Sequence, residues 1–204
     1  MKSTGIDTII FDVGNVLMDF NWQYYLNSFH FDDTKYNLIA DATFRNSLWD
    51  EYDRGGLPDE EYFNRFAANA PQYQSEIRRI LTNVGETVRL FDYTVDWVKH
   101  LKKEGYRLYI LSNYAHYTYQ QTVHKMEFLP YMDGTLFSYT VQQRKPYHCI
   151  YKTLLEKYHI TPERAVFLDD RTDNIQSARD MGINGIIFTG YQQALQELKA
   201  CEVY

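Results

Sequence analysis

Cysteine is scarce: the 204 residues hold two, Cys149 and Cys201. Neither stands in a metal-type pair, and two thiols supply no disulfide framework, so a reduced, cytoplasmic setting is expected. Long apolar runs are missing as well, and none approaches the length that spans a bilayer. The first apolar stretch, Ile9-Ile10-Phe11, meets Asp12 at once and is too short for a signal-peptide core. Positive charge is not in excess: Lys plus Arg number 21 against 27 for Asp plus Glu, a net charge of -6. That balance carries no footprint for nucleic acid or an anionic membrane, and neither is expected as a partner. A small phosphorylated substrate stays open, because a local site need not follow the global charge. There is no internal repeat and no low-complexity segment. What is present is an ordinary globular composition, 45% hydrophobic, in a chain long enough for one core with a modest insertion. The 19 tyrosines read as amphipathic core and surface filling.

Short apolar strands punctuate the chain. Thr8-Ile9-Ile10-Phe11 ends at Asp12, with Gly14-Asn15 as a turn signal. From about Trp22 to Ile80 aromatic and charged residues recur at helical spacing, as in Tyr62, Phe63 and Phe66, and no strong strand is visible. Gly55-Gly56-Leu57-Pro58 breaks this segment, and Pro58 suits the first turn of a following helix. After Gly85 helix and strand alternate. Val95, Val98 and Leu101 mark a helix that Gly105 ends, and Arg107–Leu111 is a strand stopping at Ser112-Asn113. Thr135–Tyr139 is a weaker strand, and Pro146 opens a helix through Tyr158. Ala165–Leu168 stops at Asp169-Asp170; a helix with Ile175, Ala178 and Met181 ends at Gly182, and Gly185–Phe188 is the last strand. This alternation predicts a parallel sheet with helices on both faces, interrupted by an all-helical insertion.

Polar residues end three of these strands: Asp12, then Ser112-Asn113, then Asp169-Asp170. Each alone could be a turn former or a helix cap. Together they mark the edge of a parallel sheet where ligands bind, with Lys145 between them in sequence. The chemistry they suit is phosphoryl transfer. Asp12 is a candidate carboxylate nucleophile, and Asp169 and Asp170 offer hard oxygen ligands for Mg²⁺. The metal would offset repulsion between Asp12 and an anionic substrate. The Ser112 hydroxyl and the Asn113 backbone N–H could bind phosphoryl oxygens, and Lys145 would add positive charge at a helix entrance.

These residues resemble the haloacid dehalogenase-like phosphatases. The resemblance rests on Ile9–Leu17 around Asp12, Tyr109–Asn113, Arg144-Lys145-Pro146 and Phe167–Asp170 followed by Asp173-Asn174, in the family's order from about Ile6 to Phe188. It implies a Rossmann-like α/β core from residues 1–18 and 86–204, with a helical cap over 19–85. It also implies an aspartyl-phosphate on Asp12 and a Mg²⁺ site formed by Asp12, the Gly14 carbonyl, Asp170 and the adjacent Asp169. Ser112, Asn113 and Lys145 would hold the phosphoryl group, with Lys145 also serving catalysis. The implied activity is that of a phosphoric monoester hydrolase acting on a small phosphorylated metabolite, a sugar phosphate being one class.

One departure stands out. The family's phosphatases mostly carry a second Asp two residues after the nucleophile, as general acid and base, where this chain has Gly14. Such help is typically worth about 10²–10⁴ in rate. The glycine variant resembles a branch with sugar-1-phosphate phosphatases and the phosphatase domain of soluble epoxide hydrolases, and the segment Asp53–Phe63 resembles that branch's cap. Asp19, Glu51 and Asp53 are the carboxylates that could replace the missing acid, set against the solvated positions where charged residues normally lie. His116 could reach the site mouth. Trp22, Tyr24, Trp49 and Tyr52 could line a substrate pocket or pack the insertion. Two rival functions are a metal-free 2-haloacid dehalogenase, which the acidic pair argues against, and a silent binding module, which Gly14 motivates.

Overall fold

The computed structural model describes residues 5–204; Met1–Thr4, the start of the expected core segment 1–18, lie outside the described residues. The strands are β1 (Thr8–Phe11), β2 (Met18–Phe20), β3 (Val88–Leu90), β4 (Arg107–Ser112), β5 (Gly134–Phe137), β6 (Ala165–Asp169) and β7 (Asn184–Ile187). The helices are α1 (Trp22–Asn27), α2 (Asp33–Ala42), α3 (Leu48–Arg54), α4 (Asp59–Ala68), α5 (Gln74–Thr82), α6 (Thr94–Lys103), α7 (His116–Thr122), α8 (Ser138–Val141), α9 (His148–Tyr158), α10 (Thr172–Asp180) and α11 (Tyr191–Ala200).

Five strands form a parallel sheet in the order β5-β4-β1-β6-β7. Side chains alternate across it, as the period of two demands. Ile9 and Phe11 face the layer of α6 and α11, with Trp97, Leu101 and Leu198, and the Phe11 and Trp97 rings meet edge-on at 5.1 Å. Ile10, Tyr109 and Phe167 face the opposite layer, packing on Ile150 and Leu154 of α9 and Ile175 of α10. Burial on both faces explains why these strands are continuous apolar runs rather than alternating ones.

The chain leaves β1 toward β4 and β5, then crosses back to β6 beside β1 and continues to β7. The order therefore reverses between β1 and β6, which is where an open parallel sheet makes its binding crevice. Phe11 lies opposite Leu168 and Ile110, so Asp12 emerges next to Asp169 and one step from Ser112.

Helices α1–α5 gather around a separate core of Leu26, Ile39, Tyr52, Phe66, Ile77 and Ile80. Asn21 and Asp32 accept the N–H groups of Tyr24 and Lys35 at 2.9 Å, satisfying otherwise orphaned donors at two helix starts. Pro58 stands just before α4, at its cap. Where the chain enters and leaves this unit, β2 and β3 pair antiparallel, Met18 opposite Leu90 and Phe20 opposite Val88. This ribbon is absent from the sequence reading because three residues are too few to show a period.

Element boundaries also differ: β4 and β6 run one residue past the expected ends and β7 begins and ends one residue earlier than Gly185–Phe188. The expected strand Thr135–Tyr139 stops at Phe137, and α8 begins at Ser138. The helix expected from Pro146 begins at His148; the Lys145–Pro146 peptide is cis, and Asn113 holds the backbone of Lys145 out of helical pairing.

The outer edge of β5 is covered by Tyr158, whose hydroxyl accepts from Thr135 N at 3.0 Å and donates to Thr135 O at 2.8 Å. This blunts a strand edge that would otherwise offer free pairing groups. The ring needs Gly134: a Cβ there would lie 2.3 Å from Tyr158 Cε1. Gly134→Ala is expected to destabilise the protein by about 1–3 kcal/mol through overpacking, read as a lower thermal midpoint.

Candidate active site

The crevice at the β1–β6 junction opens into a cavity of about 540 Å³. Its floor is Asp12, Gly14, Ser112, Asn113, Lys145, Asp170 and Asn174, and its roof includes Phe44, Trp49 and Asp53 of the helical unit. All the polar strand-end residues singled out above converge here except Asp169, which lies directly beneath and is fully buried.

Lys145 sits at the centre of the charges. It is 1% exposed, with Nζ 2.9 Å from Asp12 Oδ1 and 2.6 Å from Asp169 Oδ2. Burial alone would lower its ammonium group, but Asp12 and Asp169 together outweigh that and hold it above the ordinary lysine value. The lysine is aimed by backbone clamping: Lys145 N donates to Asn113 Oδ1 at 2.8 Å, and Asn113 Nδ2 donates to Lys145 O at 3.0 Å. The Asn113 side chain therefore serves the lysine loop. Its backbone N–H is the atom read from sequence as a phosphate donor.

Asp12 continues the line of β1, its N–H donating to Leu168 O at 2.9 Å, and its Oδ1 accepts Val13 N at 2.8 Å. Burial pushes its carboxyl up to about 7 and Asp169 adds to the rise, while Lys145 and a Ser112 hydrogen bond oppose it. Asp169 is saturated: Oδ1 accepts Arg171 N and Asn174 Nδ2 at 2.9 Å each, and Oδ2 accepts Lys145 Nζ and Asn174 Nδ2. Asp170 is half-buried, and its carboxyl is pushed up chiefly by burial, against a 2.8 Å hydrogen bond from Asn15 Nδ2. Asn15 adopts a left-handed φ of 58°, a conformation asparagine tolerates, which turns its amide back toward Asp170.

Asp12, Asp169 and Asp170 each offer an oxygen within 4.8 Å of the others. Crowded carboxylates drawn out of water form a hard-oxygen donor set that a divalent cation would relieve, so these residues fit Mg²⁺. Asp12 and Asp170 border the cavity, whereas Asp169 is committed through both oxygens to its neighbours.

The sequence profile of haloacid dehalogenase-like hydrolases matches residues 6–182. The chain belongs to that family. Among relatives of the haloacid dehalogenase-like hydrolase described here, the sesquiterpene phosphatase astK of Aspergillus oryzae is 23% identical over 96% of this chain and 96% of its own length. The drimenol cyclase drtB of Aspergillus calidoustus is 25% identical over 95% of this chain, and the match spans only 36% of that larger protein. The fold matches the HAD family enzyme bt-2542 of Bacteroides thetaiotaomicron with a TM-score of 0.72 at 18% identity, covering 95% of this chain and 98% of that one. That enzyme has also been solved with magnesium and inorganic phosphate.

The hydrolase places the remaining candidates unevenly. Of the three possible replacement acids, Asp53 lines the cavity, while Asp19 and Glu51 do not, and Glu51 is exposed. Trp49 lines the cavity; Trp22 stacks on Phe44 at 5.2 Å, Tyr24 is exposed beneath Arg89, and Tyr52 is buried in the helical core. His116 is outside the site, paired with Asp59 at 2.9 Å. Asn15 and Asn174 were missed as site residues. Their signal was position alone, each following a strand-end Asp in a turn or first helical turn, where Asn is common without any function.

Proposed function

We propose that this hydrolase is a magnesium-dependent phosphatase that cleaves a small phosphorylated metabolite through an aspartyl-phosphate on Asp12. The observation that carries this reading is Lys145, buried between Asp12 and Asp169, with Asp170 beside them at the mouth of the crevice. Such a cluster binds a tetrahedral dianion and a cation together, and it has no evident use in packing.

In this reading the Asp12 carboxylate attacks phosphorus while Lys145 and the Ser112 hydroxyl hold phosphoryl oxygens. Asn113 fixes Lys145 from behind and contributes its backbone N–H, while Asp169, itself held by Asn174, grips the lysine head. Asp12, Asp170 and the Gly14 carbonyl would hold the metal directly, with Asp169 supporting it through hydrogen bonds. When bound, Mg²⁺ supplies charge neutralisation between nucleophile and phosphate. The helical unit acts as a cap that limits water and shapes the leaving-group side.

The cap side of the cavity offers two kinds of surface. Arg45, Asn46 and Ser47 suit a sugar phosphate, the substrate class expected from sequence. Phe20, Phe44 and Trp49, with Trp49 4.9 Å from Phe44 and 6.1 Å from Phe20, suit an apolar organic phosphate, the class named for the Aspergillus oryzae relative.

Phosphate release from p-nitrophenyl phosphate is expected to vanish in EDTA and return with Mg²⁺. A panel of sugar and prenyl phosphates then separates the two substrate classes. Halide release from 2-chloropropionate without metal would replace this reading by a dehalogenase. A folded protein silent toward both would mark a binding module.

A further inference from the structure

Gly14 leaves the leaving group without a proton donor, and the space for one is open. Among the described residues, its chain neighbours aside, a Cβ at Gly14 would meet nothing nearer than Phe20 Cβ at 4.0 Å. Among the described residues the contact within that range is thus an ordinary one, so packing is not what requires glycine there.

On the opposite wall stands Asp53, on the last turn of α3. Its backbone is anchored to the core: the buried Ser138 hydroxyl donates to the Asp53 carbonyl and accepts Tyr114 N at 2.8 Å. Tyr114 directly follows the Ser112-Asn113 pair, so the same serine ties Asp53 to the phosphate-side loop. The Asp53 carboxyl makes no hydrogen bond and no ion pair among the described residues, although it is half-buried. Its helix neighbour Asp50 takes the available guanidinium, Arg144, at 3.1 Å. A carboxyl kept for structural reasons in such a place would be paired. One left without a partner and facing a catalytic cavity is free to exchange a proton.

We infer that Asp53 is the general acid that protonates the departing oxygen and the general base that activates the hydrolytic water, taking the role Gly14 cannot fill. In the first half, Asp12 bonds to phosphorus, the bond from phosphorus to the ester oxygen breaks, and the Asp53 proton passes to that oxygen to release the alcohol. In the second half, Asp53 takes a proton from water as the water oxygen bonds to phosphorus. The bond from phosphorus to Asp12 breaks, leaving inorganic phosphate, the Asp12 carboxylate and a reprotonated Asp53. The charges and phenols facing Asp53 are Asp50 and Tyr52 on its own helix, and Asp12, Arg144, Lys145 and Tyr114 from the core. Burial, then Asp50 and Asp12, push its carboxyl up to about 8, against Arg144 and Lys145, so it carries the proton at neutral pH.

This inference rests on the phosphatase reading, and its test separates the two. Phosphate release from p-nitrophenyl phosphate that depends on Asp12 and Mg²⁺ tests the phosphatase alone. Asp53→Asn is then compared with the parent on p-nitrophenyl phosphate and phenyl phosphate. The first has a leaving group that departs as an anion with little help; the second needs a proton. The variant is expected to lose about 10²-fold or more on phenyl phosphate, and markedly less on the nitrophenyl ester. Its kcat for phenyl phosphate should also lack the parent's decline as pH rises through about 8. Gly14→Asp in the Asp53→Asn background is expected to regain about tenfold or more on phenyl phosphate. Equal losses on both esters, or an unmoved alkaline limb, would overturn the assignment, because a merely structural role lowers both rates alike.

Discussion

Asp12→Asn is expected to lower kcat for p-nitrophenyl phosphate by about 10⁴-fold or more, since the amide cannot form the aspartyl-phosphate. Stability should move the other way. Burial holds the folded-state Asp12 carboxyl at about 7, above its ordinary 3.8. Between those values the folded protein keeps a proton that the unfolded chain has released, so metal-free stability falls as pH rises through that window. The asparagine variant, with no charge to bury, loses this slope. Its thermal midpoint in EDTA at pH 8 is expected to be no lower than the parent's. A variant that is both inactive and clearly less stable would assign Asp12 to the architecture rather than the chemistry.

Lys145→Met is the second large effect and has the opposite signature. The thioether can occupy the lysine channel over Phe167, where Nζ lies 5.1 Å from the ring centroid. It cannot compensate Asp12 and Asp169, which would be left as buried carboxylates without their cation. Breaking a buried pair in this way costs about 3–5 kcal/mol. Denaturant unfolding at pH 8 should show this loss, which should shrink as pH falls and Asp12 takes up a proton, and shrink again on adding Mg²⁺. Phosphatase activity should fall by about 10²–10³-fold from the missing phosphoryl contact. Equal stability of variant and parent at pH 8 would mean that the carboxylates are neutralised by something other than Lys145.

Together these variants separate the two functions of the cluster. Asp12 is a charge that the fold bears at a cost, and Lys145 is the charge that makes the cost bearable. Such opposed effects are typical where a site is built for chemistry rather than stability.

Much of this was legible in one dimension. The apolar runs ending at Asp12, Ser112 and Asp169 are strands because a sheet covered on both faces admits only apolar residues along its length, and the chain must turn where polarity returns. The order of those strand ends points to one sheet edge, hence to one site. Elements held by local chemistry, such as α4 after Pro58, were readable to within a residue or two. The β2–β3 ribbon was not, because its partners lie some seventy positions apart in the chain, and pairing at that range leaves no local period.

The sequence by itself therefore determined the family, the sheet and which polar residues meet at one sheet edge, because strand polarity and motif order are properties of the linear chain. Tertiary structure alone decided how those residues are arranged. It placed Lys145 between two carboxylates, saturated Asp169 while leaving Asp170 at the cavity, turned the Asn113 side chain to the lysine loop, and brought Asp53, but not Asp19 or Glu51, to the cavity wall. The reason is physical: a carboxylate's role depends on its burial and on the charges within a few ångströms, and those distances come into being only when β1, β4, β6 and the cap are packed together.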